Sequence, residues 1–306
     1  MIRFVFAIAT VATASLGFAG AAIGKPVNPE PTTLAPVMNW NVDFAEDSCA
    51  LRRMFGEEGQ RVYLELRQYE PGNPLVAMVA SNDFDRLNRP RDFSFSFAPD
   101  AEFQEVDFPM GIDSDDLGKG AMFYTSLMTA EQRALSGELR SGHSIPLAIE
   151  DKVRDTREAA ITHVTVNGLF EEPIVLETGS IHPAMGVMRQ CMDELVEHWG
   201  VDVEAHRTLL RTVQPLEMNS WVRRVQQYYP RSALMRGQQA YVRIRLNVSE
   251  EGRATDCAIQ ASFNEAVFDE AACRQLLRYS RFEPALDANG DPIASYWHTA
   301  VRYQVS

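Results

Sequence analysis

The cysteines are the residues of this sequence whose chemistry is easiest to predict. The chain has four of them, Cys49, Cys191, Cys257 and Cys273, and an even number of cysteines in an exported protein is typical of disulfide bonds. A bond between Cys257 on a predicted strand and Cys273 on a predicted helix would close a short loop and stabilise it by about 3 kcal/mol. We therefore predict Cys257–Cys273 and Cys49–Cys191; the alternative is four reduced, buried cysteines.

The histidines and acidic residues do not form a recognisable metal site. Asp113 begins a stretch that resembles a calcium loop, but the fifth position is Leu117 and the twelfth is Tyr124, where a bidentate glutamate is needed. An acidic surface turn explains it better. The histidines show no HExxH motif and no helical pair at metal-binding spacing; they are His143, His163, His182, His198, His206 and His298. We predict no metal and no other cofactor.

Catalytic motifs are also missing from the sequence. It contains no G-x-S-x-G nucleophile elbow and no glycine-rich phosphate loop. A nucleophilic role for Cys49 or Cys191 would conflict with the predicted disulfide bond. We therefore predict that the protein is not an enzyme and has no catalytic residues, while a secreted enzyme with its site in the upstream region remains the alternative.

The N-terminus predicts export. A short basic start at Arg3 precedes an apolar run over residues 4–19, and small residues follow at 19–21. This pattern is typical of a cleaved signal peptide, here residues 1–24, and predicts a periplasmic protein. The alternative is an uncleaved anchor in the inner membrane, because residues 4–24 carry no charge and could span a hydrocarbon core of about 30 Å.

Negative charge is concentrated in the upstream part of the chain. The formal net charge is −13, yet residues 226–306 hold nine arginines and nine acidic residues and are neutral overall. An acidic upstream region disfavours nucleic acid and anionic lipid as its partners. We predict a protein or peptide partner and no nucleic acid.

The last eighty residues have the pattern of a small α+β module. Apolar residues alternate over Val242–Val248, a turn over Glu250–Arg253 contains a glycine, and a second strand follows. In that strand alternation places five residues on the apolar face, namely Thr255, Cys257, Ile259, Ala261 and Phe263. A helix over Glu265–Tyr279 should cover this face, and a last strand runs over Ser295–Val305. The opposite face should be in water.

Two short motifs frame this module. Tyr229-Pro230 ends one helix and precedes a short turn of helix that stops at Gly237, while Arg278–Ala285 leaves the second helix through Phe-Glu-Pro-Ala. In this order and spacing, residues 228–306 resemble the C-terminal domain of the TonB family of Gram-negative bacteria. The resemblance implies a three-stranded antiparallel sheet with two helices.

The resemblance also implies a binding mode. In the TonB family this module captures an extended segment of an outer-membrane receptor by adding it as a strand next to the terminal strand. The residues that would form the peptide site are Tyr229, Pro230, Trp297, Val301, Arg302 and Tyr303. The expected partner is thus a TonB-dependent outer-membrane receptor.

The upstream region departs from a conventional transducer of this family, which has a membrane anchor and a long proline-rich arm. Only four prolines precede the folded region, at Pro26, Pro29, Pro31 and Pro36, and a polyproline arm gains only about 3.1 Å per residue. We therefore expect a transport accessory that binds receptor peptides, and keep an anchored energy transducer as the alternative.

The remaining residues predict a linker and a second domain. Residues 25–39 read as a linker, 40–200 as an acidic, mostly β domain with a few helices, and 201–227 as a helical connector. Strand patterns upstream occur at Arg61–Tyr69, Leu75–Ala80, Phe93–Phe97, Ile161–Val166 and Ile174–Leu176. Helices are predicted at Thr129–Ser136 and Gly186–Trp199, with Gly200 as a cap. The whole chain is predicted to be α+β.

Overall fold

The computed structural model describes residues 30–72, 75–84, 93–98, 104–106, 109–127, 147–263 and 266–304. The predicted signal peptide, the first residues of the predicted linker and the helix predicted at Thr129–Ser136 lie outside these ranges. The fold is mixed α+β, with a mostly β region upstream, which confirms the predicted class. None of the described helices is long and apolar enough to cross a bilayer.

A six-stranded antiparallel sheet forms the larger layer of the upstream region. In spatial order its strands are β2 (Asn41–Ala45), β3 (Ser48–Phe55), β4 (Val62–Gln68), β5 (Leu75–Ser81), β9 (Gly118–Thr125) and β8 (Met110–Ser114). Leu64 and Leu66 are fully buried on one face of β4, while Arg67 and Glu65 pair on the other at 2.8 Å. Alternation at Arg61–Tyr69 predicted β4 correctly, and the continuous apolar run at Leu75–Ala80 predicted β5.

A five-stranded sheet packs against the apolar face of the first. Its spatial order is β1 (Thr32–Leu34), β11 (Ile174–Leu176), β10 (His163–Asn167), β6 (Ser94–Ala98) and β7 (Gln104–Glu105). Strand β1 runs parallel to β11, with Thr33 opposite Val175, and Leu34 is buried in the shared core. The prediction of a linker over 25–39 was therefore wrong for this segment, because its one buried leucine is enough to anchor a short edge strand.

Two helices also belong to the upstream region. Helix α1 (Leu147–Ala160) was not predicted, and α2 (His182–His198) begins four residues earlier than predicted. On α2, Val187 is 40% exposed, whereas Cys191 is buried and bonded to Cys49. Gly200 follows α2 with a φ of 78° and donates its N–H to the Glu197 carbonyl, as expected for a left-handed cap.

The segment predicted as a helical connector is divided between the two regions: Val203 packs against the upstream core, and residues from Val213 onward pack in the core of the C-terminal module. It contains α3 (Val203–Arg207), β12 (Gln214–Pro215) and α4 (Met218–Gln227). Strand β12 pairs with β15 (Phe282–Glu283), and Trp221 of α4 is buried in the module's core. A connector was the wrong description, since the apolar face of α4 needs the module to cover it.

The C-terminal module has the predicted order of elements. Its central sheet is β14 (Ala254–Phe263), β13 (Ala240–Val248) and β18 (Ser295–Tyr303), all antiparallel, and its helices are α5 (Arg231–Met235) and α6 (Ala266–Tyr279). A small ribbon of β16 (Ala285–Leu286) and β17 (Pro292–Ile293) links β15 to β18. A disulfide bond joins Cys257 to Cys273 across the sheet and α6, as predicted.

Strand β14 is bulged, which corrects the predicted face pattern. Its register against β13 shifts at two places, and cross-strand partners share a face. Ala261 therefore lies opposite Arg243, on the face away from α6, while Ser262 faces α6 and donates to Asp269 at 2.6 Å. Likewise Ala254 and not Thr255 packs against the core. The side chain of Phe263 lies outside the described part.

The two regions have separate hydrophobic cores, and one residue of the C-terminal sheet packs in the upstream core. One core lies between the upstream sheets and α2, and the other lies between the C-terminal sheet and its helices. Tyr296 belongs to β18 by sequence, but its side chain is 9% exposed and packs in the upstream core. The face of the C-terminal sheet that was predicted to be in water is thus covered by the upstream region.

Candidate functional site

The terminal strand β18 forms one edge of the C-terminal sheet. It pairs with β13 from Ser295 opposite Val248 to Tyr303 opposite Ala240, and this register is unbroken. Its other edge pairs with no strand among the described residues. Such an edge offers a row of backbone N–H and C=O groups to an extended chain.

The opposite edge, β14, is a poorer template. Its two bulges interrupt the ladder and twist the strand. At one bulge, the side-chain amide of Gln260 donates to the backbone carbonyls of Tyr69, at 2.9 Å, and Asp47, at 3.3 Å. The upstream region therefore holds the side of the sheet that ends in β14, and only β18 presents a regular edge.

The side chains of β18 alternate between two environments. Trp297, Val301 and Tyr303 pack toward the helices, in the core of the module. On the other face, Tyr296 and His298 contact the upstream region. Beyond His298, Ala300 and Arg302 are exposed, so the second half of the strand is more open than the first.

Tyr229, one of the predicted site residues, packs beneath β18, and Pro230, another, follows it in the chain. The Tyr229 ring meets Tyr303 edge-on, with centroids 5.4 Å apart, and Phe268 at 5.6 Å. Its hydroxyl donates to the Gln238 carbonyl. Pro230 is the N-cap of α5 and is half-buried. Burial raises the pKa of Tyr303 to about 12.

The predicted site residues do not form one cluster of exposed side chains. Tyr229 and Tyr303 come together, but Trp297 lies six residues away along β18, where it contacts Trp221 at 5.8 Å and Phe282 at 5.1 Å. Of the six residues, Arg302 alone is classed as exposed. Tyr229, Trp297, Val301 and Tyr303 pack in the core of the module, and the edge itself is formed by backbone.

Ion pairs join the other face of the C-terminal sheet to the upstream region. These pairs were not predicted from the sequence. Glu70 lies 3.5 Å from the guanidinium of Arg243 and 2.9 Å from Nε2 of His298. Asp47 lies 3.4 Å from Arg245. The alternating arginines of β13 could have indicated this surface, because two arginines on a short strand need acidic partners if that face is buried.

Aromatic rings complete this contact. The Arg245 guanidinium stacks on the Trp199 ring, and Trp199 meets Tyr296 edge-on at 5.1 Å. The His206 ring stacks on the other side of Tyr296 at 4.8 Å. Burial, helped by the charge of His298, lowers the pKa of His206 to about 4, while burial raises that of Tyr296.

One group of polar residues in the upstream region could be mistaken for a metal site. Asp155, Glu158 and His182 place ligand atoms within 4.8 Å of one another. However, Arg189 donates to both carboxylate oxygens of the fully buried Glu158, at 2.7 and 2.9 Å. This guanidinium already supplies the positive charge, so the group is a buried ion pair.

The acidic stretch that begins at Asp113 is a hairpin turn. Ser114 pairs with Gly118 where β8 turns into β9, and Gly118 has a φ of 79°. The Leu117 N–H donates to the Ser114 hydroxyl at 3.4 Å. This is the surface turn that its composition predicted.

Comparisons with known proteins find matches to the C-terminal part of the chain. The family described as Gram-negative bacterial TonB protein C-terminal matches residues 225–305. The solution structure of the Pseudomonas aeruginosa TonB C-terminal domain is 26% identical, with 31% of this chain and 87% of that chain covered and a TM-score of 0.24. That of Helicobacter pylori is 14% identical, with 36% and 92% covered and a TM-score of 0.24. No curated protein matches the chain.

Proposed function

We propose that this chain, whose residues 225–305 are a TonB C-terminal domain, is a periplasmic accessory protein of outer-membrane transport. Its N-terminal 24 residues act as a cleaved signal peptide. The C-terminal module is a protein-interaction module, and its partner is an extended segment of a TonB-dependent outer-membrane receptor. The protein acts by binding and not by catalysis.

The difference between the two sheet edges is the observation that carries this proposal. β14 is bulged twice and its Gln260 is tied to the upstream region, whereas β18 has an unbroken ladder with β13. An extended peptide satisfies its backbone groups best on a regular edge. We therefore assign the peptide to β18.

The side chains of β18 then have two kinds of role. Val301 and Tyr303 hold the strand against the core, with Tyr229 beneath Tyr303. Ala300 and Arg302 are exposed on the second half of the strand, so Arg302 can contact side chains of the bound peptide. Because backbone pairing supplies most of the contacts, many peptide sequences should fit, and Arg302 should favour those with acidic residues.

The upstream region limits where the peptide can lie. It contacts Tyr296 and His298 in the first half of β18 through Trp199 and Glu70. We assign it a positioning role, in which it fixes this half of the strand and leaves the segment after His298 more accessible. The acidic surface upstream would also repel acidic peptides from this end.

An N-methyl scan of a peptide tests strand addition. Fluorescently labelled synthetic peptides from the periplasm-facing segments of outer-membrane receptors would be titrated against the protein. In the tightest binder, each backbone N–H would then be methylated in turn. Because alternate N–H groups of an added strand point to the sheet, methylation should weaken binding at every second position only.

The variants methylated at the positions in between, whose N–H groups point away from the sheet, serve as internal controls, since every variant has the same mass and apolarity. Equal loss at all positions would indicate recognition in another conformation. The absence of binding by every receptor peptide would argue against a receptor as the partner.

A further inference from the structure

The C-terminal module carries an arginine patch that the strand-addition proposal does not use. It lies where α4 meets the end of α6. Its members are Leu216, Arg223, Arg224, Arg278, Tyr279 and Arg281, and we refer to them as the basic patch. The four arginines are exposed. None of them has a carboxylate partner among the described residues.

Contacts bring three of the arginines together around Tyr279, and Arg223 precedes Arg224 on α4. The guanidinium carbons of Arg224 and Arg278 lie 5.3 and 5.2 Å from the centre of the same Tyr279 ring. Arg281 donates to the Arg278 carbonyl at 3.1 Å. Three positive charges from two helices and the following turn therefore share one small area, and the ring holds two of them in place.

One exposed apolar residue borders these charges, and a second lies two positions further along the chain. The Leu216 N–H donates to the Arg281 carbonyl at 2.7 Å, and the Leu216 side chain is 40% exposed. Met218, at the start of α4, is 41% exposed. Exposed apolar residues beside unpaired arginines are typical of a surface that lies on an anionic membrane, where the apolar groups enter the headgroup boundary.

Among the described residues, the two glutamates that lie near the patch along the chain, Glu217 and Glu283, do not pair with its four arginines, so the patch keeps a net positive charge. Glu283 is already paired with Arg211 at 2.8 Å, and Glu217 is the acidic residue nearest to Leu216 along the chain. The upstream region carries nearly all of the net charge of −13. Charges more than about 10 Å from the membrane are largely screened at physiological salt, so the upstream acidity does not prevent docking when that region faces away from the bilayer.

We infer that the basic patch docks the C-terminal module on an anionic phospholipid bilayer, with the acidic upstream region turned away from it. An acidic protein segment could also meet the four arginines, but it would leave Leu216 and Met218 in water. The bilayer satisfies both the charges and the apolar border. This inference is independent of the proposed peptide site.

Vesicle flotation tests the docking. The chain would be produced from residue 25 onward, which keeps every described residue and removes an apolar segment that could insert by itself. It should float with vesicles that contain one-third phosphatidylglycerol and not with pure phosphatidylcholine vesicles. Raising the salt concentration should release it.

Matched double variants locate the surface. In R224Q/R278Q the partition onto anionic vesicles should fall roughly 30-fold, since each basic residue near the surface contributes about a factor of five. The control R231Q/R253Q removes the same charge from two exposed arginines of the same module and should retain most of the binding. R223Q/R281Q, which leaves both tyrosine stacks intact, should also weaken binding.

Three results would overturn the inference. The first is the absence of flotation with anionic vesicles, and the second is an equal loss in the control and patch variants. The third is capture of an acidic peptide, dependent on Arg224 and Arg278, by a protein that does not bind vesicles. Thermal melts of each variant separate lost docking from unfolding.

Discussion

The guanidinium carbon of Arg245, in the C-terminal sheet, lies 4.3 Å from the centre of the Trp199 ring, which follows upstream helix α2. Both residues are nearly inaccessible to water, at 5% and 6% exposure. Asp47 pairs with the same guanidinium, so the arginine is neutralised where it is buried. The C-terminal sheet is thereby covered on both faces, by its own helices and by the upstream region.

Glu70 should contribute measurably to this contact because it serves both Arg243 and His298. In E70Q the free energy of unfolding should fall by about 1–3 kcal/mol, since the two groups would lose their charged partner while partly buried. Chemical denaturation monitored by tryptophan fluorescence would measure this. The control E57Q, at an exposed residue of the turn before β4, should change stability by less than about 0.5 kcal/mol; an equal loss in both would contradict the assignment.

His206 should make the contact sensitive to acid. Its pKa is lowered to about 4, so the folded state favours the neutral ring. The stabilisation is complete above the ordinary value of 6.5 and is lost as the pH falls from 6.5 to about 4. The nearby charges are those of His298 and Glu70.

The loss should be at most about 3 kcal/mol, because each pKa unit corresponds to about 1.4 kcal/mol. Denaturation midpoints between pH 7.5 and 4 would measure it. In H206Q this part of the pH dependence should disappear. A wild-type curve that stays flat over this range would show that the His206 ring is not held neutral.

The disulfide bonds should differ in their effect on stability. The residues joined in Cys49–Cys191 are 142 apart in sequence, and those in Cys257–Cys273 are 16 apart. On loop entropy alone, replacing the first pair by alanine should cost about 5 kcal/mol and the second about 3 kcal/mol. Thermal unfolding of the two double variants checks the order. A larger loss for the short loop would mean that packing at Cys257, and not loop length, decides its contribution.

Gly252 should tolerate no side chain. Its φ is 71°, and an added Cβ would lie 1.9 Å from the carbonyl oxygen of Phe282. G252A should therefore destabilise the module by about 2–4 kcal/mol, from both strain and collision. Gly237 is a matched control, with a φ of 64° and open space around it; G237A should cost about 1 kcal/mol. Equal losses would show that the collision relaxes freely.

Substitutions at the neighbours Val301 and Arg302 should distinguish a residue that stabilises the fold from one that contacts the bound peptide. V301A removes a buried side chain, at 8% exposure, and should lower stability by about 1–3 kcal/mol with little change in peptide affinity once folded. R302A should leave stability within about 0.5 kcal/mol and weaken binding of acidic receptor peptides several-fold. Titrations and melts on both proteins give the two quantities. Reversed effects would contradict the orientation of β18.

The helices and strands of the C-terminal module could be predicted because residues at their own ends mark where they begin and end. Pro230 and Gly237 delimit α5, and alternation from Val242 to Val248 marks β13. The bulges in β14 could not be predicted from the sequence. A prediction from alternation assumes that every residue changes face, and Gln260 fits that pattern as an ordinary polar residue. Its anchor, the Tyr69 carbonyl, is 191 positions away in sequence.

The covered face of the sheet escaped prediction for a related reason. Arginines at positions 243 and 245 have the same pattern whether they face water or a partner. Only the fold brings Glu70 and Asp47 to them. In the upstream region, β1 and β2 are short strands at sheet edges, and such strands carry too few alternating residues to stand out from loops.

Hydrogen exchange of backbone amides tests strand addition to β18 most directly. The exchange of amides in Ser295–Tyr303 would be compared with and without a saturating receptor peptide, with the bulged strand Ala254–Phe263 as the internal control. We predict that the peptide slows exchange at alternate amides of β18, most clearly after His298, and leaves β14 unchanged. Slower exchange at β14 alone, or unchanged exchange at β18 in the saturated complex, would contradict the assignment.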